Sequence, residues 1–131
     1  MIKIKNFIEA HKMSKCNGSY RRGVVFNDNI CRMFINFTNS KMDKHNEDFS
    51  QIFYAGRGKK DKSRYFVEDT IDNKENEKML NNKTPFPIYV RLEEGYYHLG
   101  LFKIVKVVRK SQYNPNLNKK FKTIGFICNK I

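Results

Sequence analysis

The sequence predicts a single α+β domain, residues 1–131, built on a curved mixed β-sheet or pseudo-barrel with two flanking helices. The length suits one domain with one core. Apolar residues make up 40% of the chain and include 11 Phe and 7 Tyr, which is not typical of a disordered segment. Strand-like segments outnumber helical ones and often follow one another directly, so a curved sheet is the natural arrangement.

The first half of the chain is predicted to contain one helix and two strands. Apolar residues at helical spacing predict a helix over residues 3–13, and residues 16–19 are typical of a turn. Residues 30–38 alternate as a half-buried strand does. One face of that strand would carry Cys31, Met33, Ile35 and Phe37. We expect a polar loop at 39–50 and a short strand at 51–55.

The second half is predicted to contain a glycine-containing loop at 56–61, then a helix, then three strands. The helix is expected at residues 69–80, with Asp69 or Thr70 as its cap. Its inward-facing side chains would be Ile71, Met79 and Leu80. Strands rich in aliphatic and aromatic residues are expected at 87–92, 97–109 and 121–127, with a polar connection at 111–120.

The charge balance points to a polyanionic partner. The chain has 26 Lys and Arg against 13 Asp and Glu, a formal net charge of +13. No acidic residue occurs between Tyr96 and Ile131, a segment that contains many lysines. A charge this far from zero favours nucleic acid, because release of counterions from phosphates contributes affinity. A source proteome that is generally rich in lysine would produce the same balance.

The cysteines and the hydropathy pattern set the expected compartment. The cysteine count is odd, and no two of Cys16, Cys31 and Cys128 are close in sequence. This argues against a disulfide framework and against a zinc site, and favours a reducing, cytoplasmic location. The N-terminal residues lack the apolar core of a secretory signal, and no stretch reaches the length of a membrane span, so no membrane partner is expected.

The sequence gives little support for autonomous catalysis. It contains no nucleophile elbow and no P-loop, and its three histidines are scattered: His11, His45 and His98. A metal nuclease needs clustered carboxylates, for which Asp61 between two lysines is a poor candidate. The remaining acids of this region are better interpreted as a solvated helix face: Asp69, Asp72, Glu75 and Glu77. We therefore predict a binding module that has no catalytic residue, cofactor or metal of its own.

A series of short motifs resembles a known family. Phe53-Tyr54-Ala55-Gly56-Arg57-Gly58 is similar to the segment F-x-Y-T-G-x-G, and Asp61 follows it. Further matches are Asp69-Thr70 with Asn76 and Met79 (DQ-x5-N-x2-L), Pro87–Val90 (P-V-R-V), Leu99–Val105 (D-G-x-Y-x-V-V) and, more weakly, Tyr20–Val24. In this order and spacing the motifs resemble the SRA domain, also called YDG. This domain reads methylated cytosine and has relatives in modification-dependent restriction enzymes.

The resemblance implies a PUA-like fold that flips a 5-methyl- or 5-hydroxymethylcytosine out of duplex DNA into a pocket. Such a pocket needs an aromatic plane, a carboxylate for the N4 amine and room beside C5. Tyr54 matches the stacking aromatic, and Asp43 is the expected carboxylate, with Asp48 as the alternative. Ala55 and Gly56 would complete the pocket. Ala55 stands where the family has Thr, and no Tyr precedes Asp43.

Basic residues near the glycine-containing segments are expected to contact the DNA backbone. They are Arg21, Arg22, Arg57, Lys59, Lys60 and Arg64. The resulting hypothesis is a reader of modified double-stranded DNA that targets a restriction system whose nuclease domain or subunit lies elsewhere. Two other interpretations stay open at this point: a PUA-like RNA-binding module, and a small metal-dependent nuclease that uses the acids at 61–77.

Overall fold

The computed structural model describes residues 1–12, 16, 21 and 23–131. In this part of the chain, eight strands form one sheet, and two helices lie beside it. The elements in chain order are β1 (Ile2–Ile4), α1 (Phe7–Lys12), β2 (Val24–Phe26), β3 (Ile30–Asn36), β4 (Lys44–His45), β5 (Gln51–Tyr54), α2 (Lys74–Leu80), β6 (Phe86–Leu92), β7 (Gly95–Asn114) and β8 (Lys119–Lys130). The prediction of a mostly β, α+β chain is confirmed.

The sheet is mixed and curved. Its strand order is β2-β3-β6-β7-β8-β5-β4, and β1 pairs with β7 beside that path. The β3–β6 pair is parallel, and the other pairs in the described residues are antiparallel. Two register shifts leave an extra residue in β7: Leu99 in the pairing with β6, and Val105 in the pairing with β8. Bulges of this kind bend a strand and increase its twist, so they curve the sheet around the core.

The two faces of the sheet bury separate groups of apolar side chains. The larger core contains Met33 and Ile35 of β3 with Ile88, Phe102 and Phe126. A second cluster lies on the other face, where α1 packs its buried side chains. Its members are Phe7, Ala10, Val25, Phe34 and Tyr89. Because β3 is buried on both faces, it contributes alternate residues to the two clusters.

The first helix is shorter than predicted. Residues 2–4 form β1, in which Ile2 pairs with His98 and Lys3 with Tyr97. The helix begins at Phe7, after Asn6 accepts a hydrogen bond of 2.9 Å from the backbone N–H of Glu9. An asparagine in this position caps a helix and fixes its start. The helical spacing was therefore present, but pairing with β7 determines the structure of the first residues.

The second helix also begins later than predicted, at Lys74. Asn73 caps it by accepting from the backbone N–H groups of Glu75 and Asn76. The two residues expected to cap it instead bind β8: the backbone N–H of Lys122 donates to Asp69, and that of Thr70 donates to the carbonyl oxygen of Lys122. Met79 is buried as predicted, whereas Leu80 is exposed.

Two loop predictions need correction. The segment at 39–50 includes the short strand β4, which pairs Lys44 with Phe53 and His45 with Ile52. The polar segment at 111–120 is mostly strand, because β7 continues to Asn114 and β8 begins at Lys119. One face of this hairpin is exposed to solvent, where polar side chains are compatible with strand pairing. The other face is buried, and there the amide of Asn114 donates to Asp61 and to the carbonyl oxygen of Phe66. The turn predicted at residues 16–19 lies, apart from Cys16, outside the described residues.

The expectation of unpaired cysteines is wrong for one pair. Cys16 and Cys31 form a disulfide, with Cα atoms 6.1 Å apart, and Cys128 is free and buried. Because the two cysteines are 15 residues apart, the sequence did not indicate that they pair. Folding brings their Cα atoms within the range that a disulfide spans. Within the described residues, no helix is long and apolar enough to cross a membrane.

Candidate nucleic-acid interface

A cavity of about 380 Å³ opens where the end of β3 meets the loop before β4, the end of β5 and the loop after it. This volume lies in the range of small-ligand pockets. Its described lining is apolar at Phe7, Phe34, Ile35 and Tyr54, polar at Asn36, Asn39, Ser40 and Asp43, and basic at Arg21, Lys60 and Arg64, and it also includes Gly23. We call it the base cavity, and we call its three cations the basic rim.

Asp43 is the carboxylate that lines the base cavity. Its Oδ1 accepts a hydrogen bond of 2.8 Å from the backbone N–H of Ala55, and its Oδ2 accepts one of 2.7 Å from the hydroxyl of Ser40. An ionised carboxylate offers about four lone-pair sites, so two such bonds leave capacity for a further donor. The loop thus fixes the carboxylate in place without exhausting its acceptors.

Tyr54 lies at the end of β5 and lines the same cavity. Only 6% of its surface is exposed, and the residue belongs to the larger core. Its hydroxyl oxygen lies 3.7 Å from the position that a Cβ at Gly23 would occupy. Burial, followed by the nearby charge of Asp43, raises the pKa of the tyrosine, so its hydroxyl stays protonated. Tyr54 is therefore both a core residue and a wall of the cavity.

The glycine-containing loop after β5 is held by a buried asparagine. The side chain of Asn76 accepts from the backbone N–H of Arg57 at 2.6 Å and donates to the carbonyl oxygens of Arg57 and Thr70, each at 2.9 Å. Gly56 has a φ of +83°, and a Cβ there would overlap the carbonyl oxygen of Ile124. This explains in physical terms why a glycine and a distant asparagine occur together in the motif.

The predicted pocket residues differ in where they lie. Asp43 and Tyr54 line the base cavity together. Ala55 is buried against Met42 and Phe66, and its contribution is the N–H bond to Asp43. Like Gly56, it is not among the described residues that line the cavity. Asp48 is exposed, accepts hydrogen bonds from Ser50, and lies outside that described lining as well. The roles of these residues in binding stay predictions.

The basic residues predicted to contact phosphate also differ in whether they line the base cavity. Arg21, Lys60 and Arg64 form the basic rim. Arg57 pairs with Glu75 across 3.1 Å, and the exposed Lys59 lies beside it on the loop after β5. Arg22 lies outside the described residues. Folding therefore brings cations from two separate parts of the sequence, Arg21 and the loop after β5, to a single opening.

Asp61, the motif aspartate, shapes a loop. Its side chain accepts from the amides of Asn114 and Asn116 and from the backbone N–H of Tyr65. These bonds, that from Asn116 foremost, lower the pKa of Asp61. The carboxylate thus ties the loop that carries part of the basic rim to the β7–β8 hairpin. In the parts of the chain that the structure describes, no group of His, Cys, Asp and Glu could hold a metal ion.

Several lining residues were not anticipated from the sequence. Asn36, Asn39 and Ser40 surround Asp43 on the cavity wall, and Phe7 and Phe34 supply aromatic surface. The polar residues follow directly after a buried strand, which is a usable signal for a site at a strand end. Phe7 gave no such signal, because the position of α1 depends on packing between residues distant in sequence.

Comparison with known proteins identifies the fold. No protein-family model and no curated protein sequence matches the chain. The SUVH5 SRA domain in complex with methylated CHH DNA is similar, with a TM-score of 0.66 at 12% identity over 98% of this chain and 86% of that chain. The chain has an SRA-like fold. The same SRA domain bound to fully hydroxymethylated CG DNA gives 0.66 at 11% identity, over 99% and 89% of the two chains.

A further similarity is to a restriction enzyme. The DNA modification-dependent restriction endonuclease AspBHI matches with a TM-score of 0.51 at 11% identity, over 88% of this chain. The SRA-like domain corresponds to only 33% of that chain. The predicted fold resemblance is thus confirmed against proteins of two kinds, isolated SRA domains and a larger endonuclease.

Proposed function

We propose that this SRA-like domain binds duplex DNA and holds one flipped, modified cytosine in the base cavity. The observation that carries the proposal is the cavity itself, where an anchored carboxylate and an aromatic wall lie beneath a basic rim. Flipping a base costs a few kcal/mol of stacking and pairing, which contacts in the pocket must return. The shared fold with domains crystallised on methylated and hydroxymethylated DNA supports the same assignment.

Asp43 supplies the recognition of cytosine. The N4 amine of cytosine is a donor, and a carboxylate is an acceptor without a competing donor of its own. Thymine presents a carbonyl oxygen in the same place, so an ionised Asp43 would repel it. Because Ala55 and Ser40 orient the carboxylate before DNA arrives, little ordering is required on binding.

The aromatic lining supplies apolar contact to the base. Tyr54, Phe7 and Phe34 line the cavity from three different elements. Asn36 and Asn39 also line it, and their amides can form hydrogen bonds with the polar edges of the base. The sequence hypothesis of stacking on Tyr54 is kept in this proposal. Because most of that ring is packed in the core, removing it would weaken folding and DNA binding together.

The basic rim supplies phosphate contacts on both sides of the extruded nucleotide. Arg21, Lys60 and Arg64 surround the opening, and counterion release at each phosphate adds affinity that does not depend on base identity. Arg57 and Lys59 extend this surface along the loop after β5. In this proposal, rim contacts position the duplex and the cavity determines specificity.

We further propose that the domain is the specificity part of a modification-dependent restriction system, with the nuclease supplied by another domain or subunit. The similarity to one third of AspBHI supports this arrangement. Within the described residues, the carboxylates offer no metal cluster for cleavage, and Asp61 is engaged with loop amides.

A binding panel tests the proposal. Duplexes identical except for one cytosine (unmodified, 5-methyl, 5-hydroxymethyl or glucosylated) are titrated with the purified chain, together with single-stranded and structured RNA. We expect tighter binding to at least one modified duplex than to the unmodified duplex. Equal affinity for all four duplexes, or preference for RNA, would contradict the proposal. Incubation with modified plasmid and Mg²⁺ should leave the plasmid intact.

A further inference from the structure

A second cleft, unrelated to the base cavity, is formed where three connections meet. Its described lining comes from the end of β3, the β4–β5 turn and the β6–β7 turn, and its volume is about 300 Å³. The lining residues are Phe37, Thr38, His45, Phe49, Leu92, Glu93 and Glu94. We call it the aromatic cleft. None of these residues lines the base cavity.

Three rings in the aromatic cleft are held at defined angles. The imidazole of His45 stacks on Phe49 with centroids 4.1 Å apart and planes inclined by 18°. Phe37 meets the same imidazole nearly edge-on, at 4.7 Å and 76°. The Nδ1 of His45 lies 2.8 Å from the carbonyl oxygen of Asn46, which fixes the ring orientation. Phe37, Phe49 and Leu92 also pack on the larger core, so the walls are rigidly supported.

The cleft combines these rings with two adjacent carboxylates. Glu93 and Glu94 form the exposed turn between β6 and β7. Within the described residues, neither glutamate forms a salt bridge to lysine or arginine. The guanidinium of neighbouring Arg91 lies instead over the ring of Tyr96, 5.3 Å from its centroid. In a chain with a net charge of +13, two acids that form no salt bridge within the described residues create a local site for a cation beside the aromatic cleft.

We propose that the aromatic cleft binds a methylated alkylammonium group, specifically the methylated lysine side chain of a partner protein. Aromatic faces attract cations through their quadrupole, and ring-lined cages are suited to quaternary ammonium groups. The methyl groups would contact the rings and Leu92, while Glu93 and Glu94 would balance the charge. Phosphate would be repelled here, so the assignment does not depend on the proposed DNA function.

The test uses a small probe and its uncharged analogue. N-acetyl-trimethyllysine methylamide and the isostere with a tert-butyl group in place of trimethylammonium are titrated into the labelled full-length chain by NMR. We expect saturable shifts centred on Phe37, His45 and Phe49. The neutral isostere should bind about 2- to 30-fold more weakly, the range that a cation–π contribution spans.

Variants locate the site and separate charge from folding. The Glu93→Gln/Glu94→Gln double variant should weaken the trimethyllysine probe and leave the neutral isostere unchanged. A control with the same loss of charge, Asp72→Asn/Glu77→Gln, alters exposed acids around α2 and should leave probe binding unchanged. Non-saturable shifts, equal binding of the two probes, or equal weakening in both double variants would overturn the proposal. None of these readouts requires DNA.

Discussion

Substituting Asp43 by asparagine should abolish most of the discrimination for modified cytosine and preserve the fold. The remaining carbonyl oxygen can still accept from the N–H of Ala55, which in the native protein lies 2.8 Å from Oδ1. The new amide N–H₂ replaces the second acceptor oxygen and would oppose the N4 amine of cytosine, donor against donor. The Ser40 hydroxyl, which donates to Oδ2 in the native protein, can instead accept from the new amide, so the loop stays anchored and the substitution acts on the base.

The expected magnitude follows from the charge on the acceptor. A hydrogen bond to an ionised group contributes about 1.5–3 kcal/mol. At about 1.4 kcal/mol per tenfold, affinity for the modified duplex should fall about 10- to 150-fold. In this proposal unmodified duplex is held through its phosphates without a flipped base. Its affinity should therefore stay the same or rise slightly, because the variant removes a negative charge beside the basic rim. Fluorescence polarisation with paired duplexes measures both.

The matched control is Asp48→Asn. It removes the same charge five residues along the chain, from an exposed side chain that bonds Ser50 and does not line the base cavity. It should leave discrimination intact, while the melting temperatures of both variants stay close to that of the native protein. Equal loss of binding to modified and unmodified duplexes in the Asp43 variant would refute the reasoning. If only the Asp48 variant lost discrimination between the two duplexes, Asp48 and not Asp43 would be the carboxylate that recognises the base.

Three further predictions concern charge, anchoring and pH. If the three rim cations each contact one phosphate, a plot of log affinity against log salt concentration should have a slope of about −2.7. Arg64→Gln removes one of these contacts, so the magnitude of the slope should fall by about 0.9. Binding titrations over about 50–200 mM salt measure both slopes. Asn76→Ala leaves the backbone groups of Arg57 unpaired, so urea unfolding should show about 2–4 kcal/mol of destabilisation. The pKa of Asp61 is lowered chiefly by Asn116, so its stabilising effect is present above the unfolded-state pKa of about 3.9 and is lost as pH falls through the folded value. Asp61→Asn should therefore flatten the loss of stability between pH 5 and pH 2 in thermal melts.

The general fold was predictable because the strand signals are strong. Alternation in β3 and the aliphatic and aromatic residues of β6 to β8 specify strands even without knowledge of their partners. The helix starts were not predictable. Asn6 and Asn73 are ordinary caps, but β1 and the Asp69-Thr70 segment are determined by pairing with β7 and β8, which are distant in sequence.

The candidate site was predictable where a motif marks a backbone constraint. Gly56 and Asn76 occur together because the loop conformation needs both, and the same motif placed Tyr54 beside the cavity. The carboxylate could not be chosen with certainty, since Asp43 and Asp48 lie in one polar segment and only folding shows which faces the cavity. The Cys16–Cys31 disulfide was missed because distance along the chain does not report distance in space.

The central claim, that a modified cytosine leaves the duplex and enters the base cavity, is tested most directly by fluorescence. A fluorescent base analogue is placed directly beside the modified cytosine in a duplex, and the chain is added to saturation at constant salt. Stacking on neighbouring bases quenches such an analogue, so extrusion of the neighbouring modified cytosine should raise its emission. The rise should be smaller with Asp43→Asn and unchanged with Asp48→Asn. Saturated binding of native protein without any change in emission would contradict base flipping, even if modified DNA were still preferred.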